Sequence, residues 1–203
     1  MEVSKESDEG VRGVITGIIM ASGFSRRMNR EKLMLKVEGI PVIERVISAA
    51  NSSELDELLL IYQKDQIREI ADKYAIKAVY NEHADKGQSA AVKLGVKSSH
   101  PDTEGFMFLV GDQPYLDVQT INKLLSAFRE EKDSIVVPVY RGKRGNPVIF
   151  PSYLKKDLLA LEGDSGGRII IEKMMDSVKL VTIEKDVVGT DIDTNEEYEK
   201  IKK

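Results

Sequence analysis

The chain contains no cysteine, and this single absence excludes several kinds of chemistry. A disulfide framework, a thiol nucleophile, and zinc or iron–sulfur centres held by cysteine all need that residue. With only two histidines, His83 and His100, there is also little room for a histidine-rich metal site. Any chemistry must therefore use carboxylates, lysine, arginine, serine, backbone amides and a bound hard cation. A chain without cysteine suits a reducing compartment, and we expect a cytoplasmic protein.

Long apolar runs and basic tracts are missing as well. No apolar stretch approaches the roughly 20 residues of a membrane-spanning helix, so no membrane association is expected. The net charge is −4, and no cluster of basic residues offers a footprint for nucleic acid. Residues 1–13 are acidic and polar, unlike a secretory signal, and we predict a disordered lead-in there. Residues 14–203 are enough for one domain with a sizeable core.

The rest of the chain alternates between short apolar runs and helical patterns. Nearly continuous apolar runs are typical of strands in a parallel sheet covered on both faces. We therefore predict a single-domain, three-layer α/β/α fold with a mostly parallel, mixed sheet. In such sheets ligands bind at the carboxyl ends of the strands, which here means the loops after Met20, Tyr80, Val110 and Val139. Strands are predicted at 14–20, 58–62, 76–81, 106–112, 135–139, 147–150 and 179–184, and helices near 43–50, 67–74, 89–98, 121–128, 152–161 and after Gly167.

The loop after the first strand reads MASGFSRRMNREK, residues 20–32. Small residues let the backbone approach a phosphate closely, and amides at the start of a following helix point toward that anion. Arg27 and Lys32 could neutralise a triphosphate. The loop has neither the dinucleotide G-x-G-x-x-G pattern nor the Walker A pattern. The alternative is a plain strand–turn–helix junction with a solvated basic face.

Two acidic motifs are candidates for metal binding. In FLVGDQP, Asp112 comes just after an apolar strand, where a carboxylate can hold Mg²⁺ against phosphate oxygens. In GTDIDTNEEY, Asp191 and Asp193 lie on one side of an extended segment, so either could be the second ligand, and we favour Asp193. Turn or solvated aspartates are the alternatives. Thr194 followed by Glu197 predicts a helix that begins with a capping box.

The run GDSGGR, residues 163–168, matches the surroundings of the serine nucleophile in trypsin-like proteases. His83 or His100, Asp112 and Ser165 even follow the chain order of those enzymes. Trypsin-like proteases are all-β, however, and both histidines have polar neighbours typical of surface loops. We instead predict a helix–helix connection in which Gly163 ends one helix and Asp164 or Ser165 caps the next.

Six motifs in order give the chain its resemblance to a known family. They are MASGFSRRMNREK, NEHADKGQSAAVKLG, VGDQPYL, RGNPVIF, GDSGGR and DIDTNEEY. This set is similar to that of the molybdenum cofactor cytidylyl- and guanylyltransferases and covers nearly the whole chain from Val14 onward. The resemblance implies a Rossmann-like nucleotidyltransferase fold. It also implies Mg²⁺-dependent transfer of CMP or GMP from a nucleoside triphosphate to the terminal phosphate of a molybdopterin-type acceptor, with release of pyrophosphate.

The resemblance also assigns roles to residues at the matching positions. Arg27, Lys32 and Asp112 would be catalytic, and Asp112 and Asp193 would hold Mg²⁺. The acceptor would meet Gly145, Asn146 and Arg168, although a hairpin turn at 145–147 and a structural cap at Arg168 are alternatives. A molybdoenzyme or an insertion chaperone is a further expected partner. Nucleotide binding would involve Ala21, Ser22, Gly23, Ser25, Asn81, Gly87, Gln88 and Ser89, of which Ser89 could also cap a helix.

Two positions depart from the family pattern. In the family, Ala-Ala before the glycine accompanies cytidylyl transfer and Ala-Gly-Gly accompanies guanylyl transfer. Ser22 matches neither, although CTP is favoured here over GTP. Asn29 replaces a glycine of the motif. Two other functions therefore stay open, a sugar- or polyol-phosphate nucleotidyltransferase and a non-catalytic nucleotide-binding or cofactor-insertion protein.

Overall fold

The computed structural model describes residues 13–23 and 31–202, so the predicted lead-in lies outside it apart from Gly13. A mixed sheet of eight strands runs in the order β10-β7-β9-β6-β1-β4-β5, with β8 paired to β7, and a separate hairpin joins β2 to β3. The strands are β1 (Val14–Ala21), β2 (Lys36–Val37), β3 (Ile40–Pro41), β4 (Glu57–Tyr62), β5 (Lys77–Tyr80), β6 (Thr103–Val110), β7 (Ile135–Tyr140), β8 (Lys143–Arg144), β9 (Val148–Pro151) and β10 (Val178–Thr182).

Most neighbouring strands in the main sheet are parallel. β1 lies between β6 and β4 in parallel register, and β4–β5 and β7–β10 are parallel pairs. β9 runs antiparallel to β6 and β7, and β8 runs antiparallel to β7. The predicted mostly parallel, mixed sheet is confirmed.

Helices cover both faces of the sheet, as predicted. Alternate side chains of β1 enter different cores: Ile19 packs with α1, α2 and α4, whereas Ile18 packs with α3, α5 and α6. This alternation produces the three layers and leaves the carboxyl edge of the sheet open for ligands. The helices are α1 (Val42–Asn51), α2 (Asp65–Lys73), α3 (Gln88–Ser98), α4 (Val118–Glu130), α5 (Lys155–Ala160), α6 (Arg168–Lys173) and α7 (Asn195–Ile201).

Some local features were not predicted. β2 and β3 are two residues each, too short to show an alternating pattern, and their turn contains Glu38 and Gly39 at positive φ. The helix predicted at 152–161 opens with a 3-10 turn at Ser152–Leu154 before α5 begins, which is common at helix starts. Within residues 13–23 and 31–202, no helix is long and apolar enough to span a membrane.

Candidate active site

A first cavity, about 680 Å³ in volume, opens at the carboxyl ends of β1 and β6. This is the edge at which parallel α/β sheets bind ligands. Its walls come from segments far apart in the chain: the turns after β1 and β6, the loop between β5 and α3, and two segments nearer the C-terminus. Of the predicted site residues, those that line it are Ser22, Gly23, Lys32, Gly87, Gln88, Asp112 and Asp193.

Three charged side chains meet at one side of the first cavity. The Lys32 ammonium donates hydrogen bonds of 2.5 Å to Asp112 Oδ2 and 3.0 Å to Asp193 Oδ1. Burial alone would lower the pKa of Lys32. The charge and hydrogen bond of Asp112, followed by those of Asp193, outweigh burial and raise this pKa above its ordinary 10.5. The ammonium therefore stays charged at neutral pH.

Backbone contacts hold Asp193 in position. The Ile192 N–H donates to the carbonyl oxygen of Asp112 at 3.1 Å, and the Ile192 side chain is fully buried. The N–H groups of Asp193 and Thr194 both donate to Glu197 Oε2 at 2.9 Å, and the Glu197 N–H donates back to Thr194. The predicted capping box at the start of α7 is thus confirmed, and it fixes the backbone from which Asp193 reaches Lys32.

Asp191 has a different environment from Asp193. It accepts a hydrogen bond from Gln113, and it stands near the charges of Asp112 and Asp193. Desolvation by partial burial, which disfavours the charged carboxylate, raises the pKa of Asp191 above its ordinary value, and the negative charge of Asp112 raises it further. Because Asp191 also has an exposed face, water screens part of this effect. Asp193, rather than Asp191, is the residue that shares Lys32 with Asp112.

A buried hydrogen bond ties the loop after β1 to the loop after β5. Asn81 Nδ2 donates to Ser22 Oγ at 2.9 Å, and both side chains are almost completely buried. Asn81 Oδ1 accepts from the His83 N–H, and the Asn81 N–H donates to the carbonyl oxygen of Tyr62. Asn81 therefore lies behind the cavity wall, where it fixes the position of Ser22.

The start of α3 corrects one predicted role. The helix begins at Gln88 with Gly87 as its N-cap, so the prediction that Ser89 caps this helix is wrong. Gly87 has a φ of 89°, a conformation that side chains disfavour, and a Cβ there would meet the carbonyl oxygen of Gly163. Ser89 is buried, and its N–H donates to that same carbonyl at 3.1 Å.

The run at residues 163–168 connects α5 to α6, as predicted, but its caps differ. The N-cap of α6 is Gly167 and makes no side-chain hydrogen bond, so neither Asp164 nor Ser165 caps that helix. α5 ends at Ala160 with Leu161 as its C-cap, so the prediction that Gly163 ends this helix is wrong, although Gly163 is left-handed with φ 59°. The mixed sheet with helices on both faces also rules out the all-β fold of a trypsin-like protease. His83 and His100 are both about half exposed, in loops.

A second cavity, about 660 Å³, adjoins the first. The three predicted acceptor residues, Gly145, Asn146 and Arg168, all line it. Tyr140 holds this loop in place: its hydroxyl donates to the Asn146 carbonyl oxygen at 2.7 Å, and a Cβ on Gly145 would lie 2.8 Å from its ring. The floor is apolar, and no acidic residue is among the described residues that line this cavity. The floor includes Val92, Phe108, Val137, Val148, Phe150, Leu158 and Ile171.

Some predicted residues lie away from the cavities. Ala21 is the last residue of β1, and its side chain is buried in the core. Asn81 and Ser89 are buried behind the wall. Ser25 and Arg27 lie outside the described residues.

The sequence-based prediction also missed several residues that line the cavities. Lys86 and Asp164 line the first cavity, and Lys143 and Arg144 add cationic side chains to the second. Lys86, Asp164 and Arg144 fall inside the six motifs, which located them without assigning a ligand role, whereas Lys143 directly precedes the motif RGNPVIF and no motif includes it.

The fold and this site together define a class of protein. A lysine and two carboxylates beside a cavity at the carboxyl edge suit a triphosphate with a divalent cation. An adjoining cavity with a cationic rim, formed by Lys143, Arg144 and Arg168, suits an anionic acceptor. The class is that of the nucleotidyltransferases. Residues 17–178 match the MobA-like NTP transferase domain, and the chain therefore belongs to this family.

Individual relatives are similar over most of the chain. The purine catabolism protein PucB of Bacillus subtilis is 29% identical, covering 93% of this chain and 96% of that protein. A probable molybdenum cofactor guanylyltransferase of Natranaerobius thermophilus is 29% identical over 63% of this chain and 62% of its own.

Solved structures of Rv0371c from Mycobacterium tuberculosis share the fold. One has a TM-score of 0.84 at 23% identity, covering 94% of this chain and 97% of that chain. A second, a complex with manganese, has a TM-score of 0.79 at 21% identity, covering 93% of this chain and 98% of that one.

Proposed function

We propose that this nucleotidyltransferase moves a CMP group, or alternatively GMP, from a nucleoside triphosphate to the terminal phosphate of molybdopterin or molybdenum cofactor. The observation that carries the proposal is the meeting of Lys32, Asp112 and Asp193 beside a cavity that adjoins a second, cation-rimmed one. The sequence resemblance and the relative named as a guanylyltransferase support this acceptor. A cytoplasmic location and a molybdoenzyme or insertion chaperone as partner belong to the same proposal.

The reaction needs no base and no covalent intermediate. An oxygen of the acceptor phosphate, already an anion, forms a bond to the α-phosphorus of the triphosphate. The bond from that phosphorus to the oxygen bridging to the β-phosphate breaks, and pyrophosphate leaves with the electron pair. The protein contributes positioning and fixed charge. Arg27 and Lys32 would bind the triphosphate, while the loop from Ala21 to Ser25 and the segment at 81–89 would hold the nucleotide.

The residues present fit a magnesium ion. Asp112 and Asp193 both contact one nitrogen of Lys32, so their carboxylates converge on the same small volume. Among the described residues no group of three or more acidic or histidine side chains forms a metal cage. Mg²⁺ commonly takes only one or two carboxylates plus phosphate oxygens and waters. When bound, it would neutralise charge on the phosphates, and the manganese complex of a protein with this fold supports a divalent ion here.

One assay tests the proposal. Pyrophosphate release is measured with CTP and with GTP, each with and without molybdopterin, in the presence of Mg²⁺. We expect release that depends on both the nucleotide and the acceptor, and greater release with CTP. Nucleotide binding without any turnover would instead favour a non-catalytic binding or insertion protein. Release with sugar or polyol phosphates, but not with molybdopterin, would favour the other transferase class.

Ser22 is the position on which base choice is proposed to depend. It replaces the alanine that accompanies cytidylyl transfer in the family, and Asn81 fixes its hydroxyl at the cavity wall. Ser22→Ala and Ser22→Gly variants in the same assay, compared by their CTP-to-GTP ratio, measure this dependence. An unchanged ratio in both variants would remove Ser22 from base selection.

A further inference from the structure

The two cavities meet at a small number of side chains. Of the described residues that line them, only Met20 and Gln88 border both. Met20 is apolar and lies near the end of β1. Gln88 carries a neutral amide that can both donate and accept hydrogen bonds. The junction therefore has one described polar side chain within reach of ligands in both cavities.

The connection at residues 163–168 passes from one cavity to the other beside this junction. Gly163 and Asp164 line the first cavity, whereas Gly166, Gly167 and Arg168 line the second. The Gly163 carbonyl, which accepts from the Ser89 N–H, pins the connection against the start of α3. The run that resembles a protease motif thus forms the partition between the two cavities.

Gly166 is packed directly against the Gln88 side chain. A Cβ built on Gly166 would lie 2.6 Å from Gln88 Oε1 and 3.0 Å from its Cδ, closer than normal contact. The backbone of Gly166 is not in the left-handed region, so alanine is allowed by its conformation. Because the Gln88 amide is the far end of a flexible side chain, a methyl group added at Gly166 would displace that amide without straining the chain.

We propose that Gln88 contacts both substrates at the junction, and that Gly166 is a positioning residue that holds the Gln88 amide there. This inference rests on the proposed function. A phosphate oxygen at the junction would accept a hydrogen bond from the amide, which keeps the α-phosphorus and the attacking oxygen aligned. A neutral side chain suits the junction between the cavities. Lys32 on one side and the cationic rim on the other would already neutralise the charges on the phosphates.

A double-mutant cycle tests the pair. Gly166→Ala, Gln88→Ala and the double variant are compared for kcat/KM toward molybdopterin with CTP and Mg²⁺, and for the dissociation constant of CTP. We expect each single variant to lose of the order of 10²-fold in kcat/KM, as misplacement of reacting groups commonly does. In the Gln88→Ala background, Gly166→Ala should change kcat/KM by no more than about twofold, because the side-chain amide that the added methyl group would displace is absent. Equal, additive losses in both backgrounds would overturn the positioning role.

Ser165→Ala is the matched control for this cycle. Ser165 lies between the two groups of lining residues and borders neither cavity among the described residues. The Ser165→Ala variant should retain the wild-type kcat/KM. That result would also show that Ser165 is not a catalytic nucleophile. A loss as large as that of Gly166→Ala would mean that the connection responds to any change, and the specific contact would be refuted.

A binding measurement separates failure of this inference from failure of the proposed function. In ¹⁵N-labelled protein the Gln88 side-chain amide signal is assigned by its absence in Gln88→Ala. We expect it to shift with CTP alone and with molybdopterin alone, and to lie elsewhere in Gly166→Ala. If these shifts occur without pyrophosphate release, the junction stands and the reaction is wrong. If the wild type releases pyrophosphate but the Gln88 amide signal does not shift with one of the two ligands, the proposed reaction stands and the contact of Gln88 with both substrates is refuted.

Discussion

At the scale of single residues, charge is concentrated where Lys32 meets Asp112 and Asp193. Exposed ion pairs contribute little to stability, but Lys32 and Asp112 are about four-fifths buried and their geometry is fixed by neighbouring backbone contacts. A charge that is already in place needs no reorganisation when a phosphate arrives, and this is how electrostatic catalysis works. Each of these three residues should therefore contribute strongly to turnover.

Replacement of Lys32 by alanine tests that view. We expect Lys32→Ala to lower kcat by a factor of about 10² or more, since a preorganised charge contact commonly contributes that much. Lys132→Ala is the control, because Lys132 forms an exposed pair with Glu104. Pyrophosphate release measures both. A loss of tenfold or less for Lys32→Ala would argue against its contact with the triphosphate.

Replacement of Asp112 by asparagine tests the proposed role of this residue as a metal ligand. Asp112→Asn keeps the shape of the side chain but removes the charge that a hard cation requires, so most Mg²⁺-dependent turnover should disappear while the protein still folds. Turnover is titrated with Mg²⁺, and circular dichroism reports the fold. The exposed Asp102→Asn variant should behave as wild type. A wild-type rate in Asp112→Asn would remove Asp112 from metal binding.

At the scale of elements, two helices, α4 and α7, are held at their first turn by a side-chain cap as well as by packing. α4 begins with Asp117, whose Oδ1 accepts from the Thr120 N–H at 2.9 Å while Oδ2 accepts from Lys185 at 2.9 Å. Partial burial alone would raise the pKa of Asp117. The hydrogen bonds from Lys185 and Thr120 outweigh burial and hold this pKa below its ordinary 3.8. Ionised Asp117 therefore stabilises the folded state.

The Asp117 cap gives a prediction with a pH dependence. Asp117→Ala should lower the free energy of unfolding by about 1 kcal/mol, as loss of an N-cap does. Because the folded pKa is the lower one, this contribution is fully present above pH 3.8 and is lost as pH falls through the folded pKa. Asp117→Asn can still cap the helix, so it should cost less than alanine near neutral pH and should lack the pH dependence. Urea unfolding at several pH values measures this, and identical pH profiles for aspartate and asparagine would refute it.

At the scale of the whole molecule, the two cavities are enclosed by segments that only the complete fold brings together. A ligand that bridges these segments binds the folded chain and not the unfolded one, so it must stabilise the fold by mass action. The sheet edge, the connection at 163–168 and the segment before α7 should all gain stability together.

Thermal unfolding with nucleotide measures that coupling. With Mg²⁺ and CTP at 100 times its dissociation constant, the free energy of unfolding should rise by about 2.7 kcal/mol. For a chain of this size that corresponds to an increase in Tm of roughly 5–11 °C. Asp112→Asn should lose the part of this increase that depends on Mg²⁺. If CTP with Mg²⁺ left Tm unchanged at saturating concentration, the first cavity would not be a nucleotide site.

The sequence by itself determined the fold class, most of the strands and helices, and the motifs that line the cavities. It could do so because apolar periodicity and short motifs are local: Ile43, Val46 and Ile47 mark one face of α1 whatever surrounds them. The sequence favoured Asp193 over Asp191, but only the tertiary structure showed that Asp193 contacts Lys32, a residue 161 positions away. The tertiary structure also showed that Gly167, not Ser165, caps α6, and that Gly166 packs on Gln88. These outcomes depend on which distant backbones approach each other, and no spacing within a motif encodes that approach.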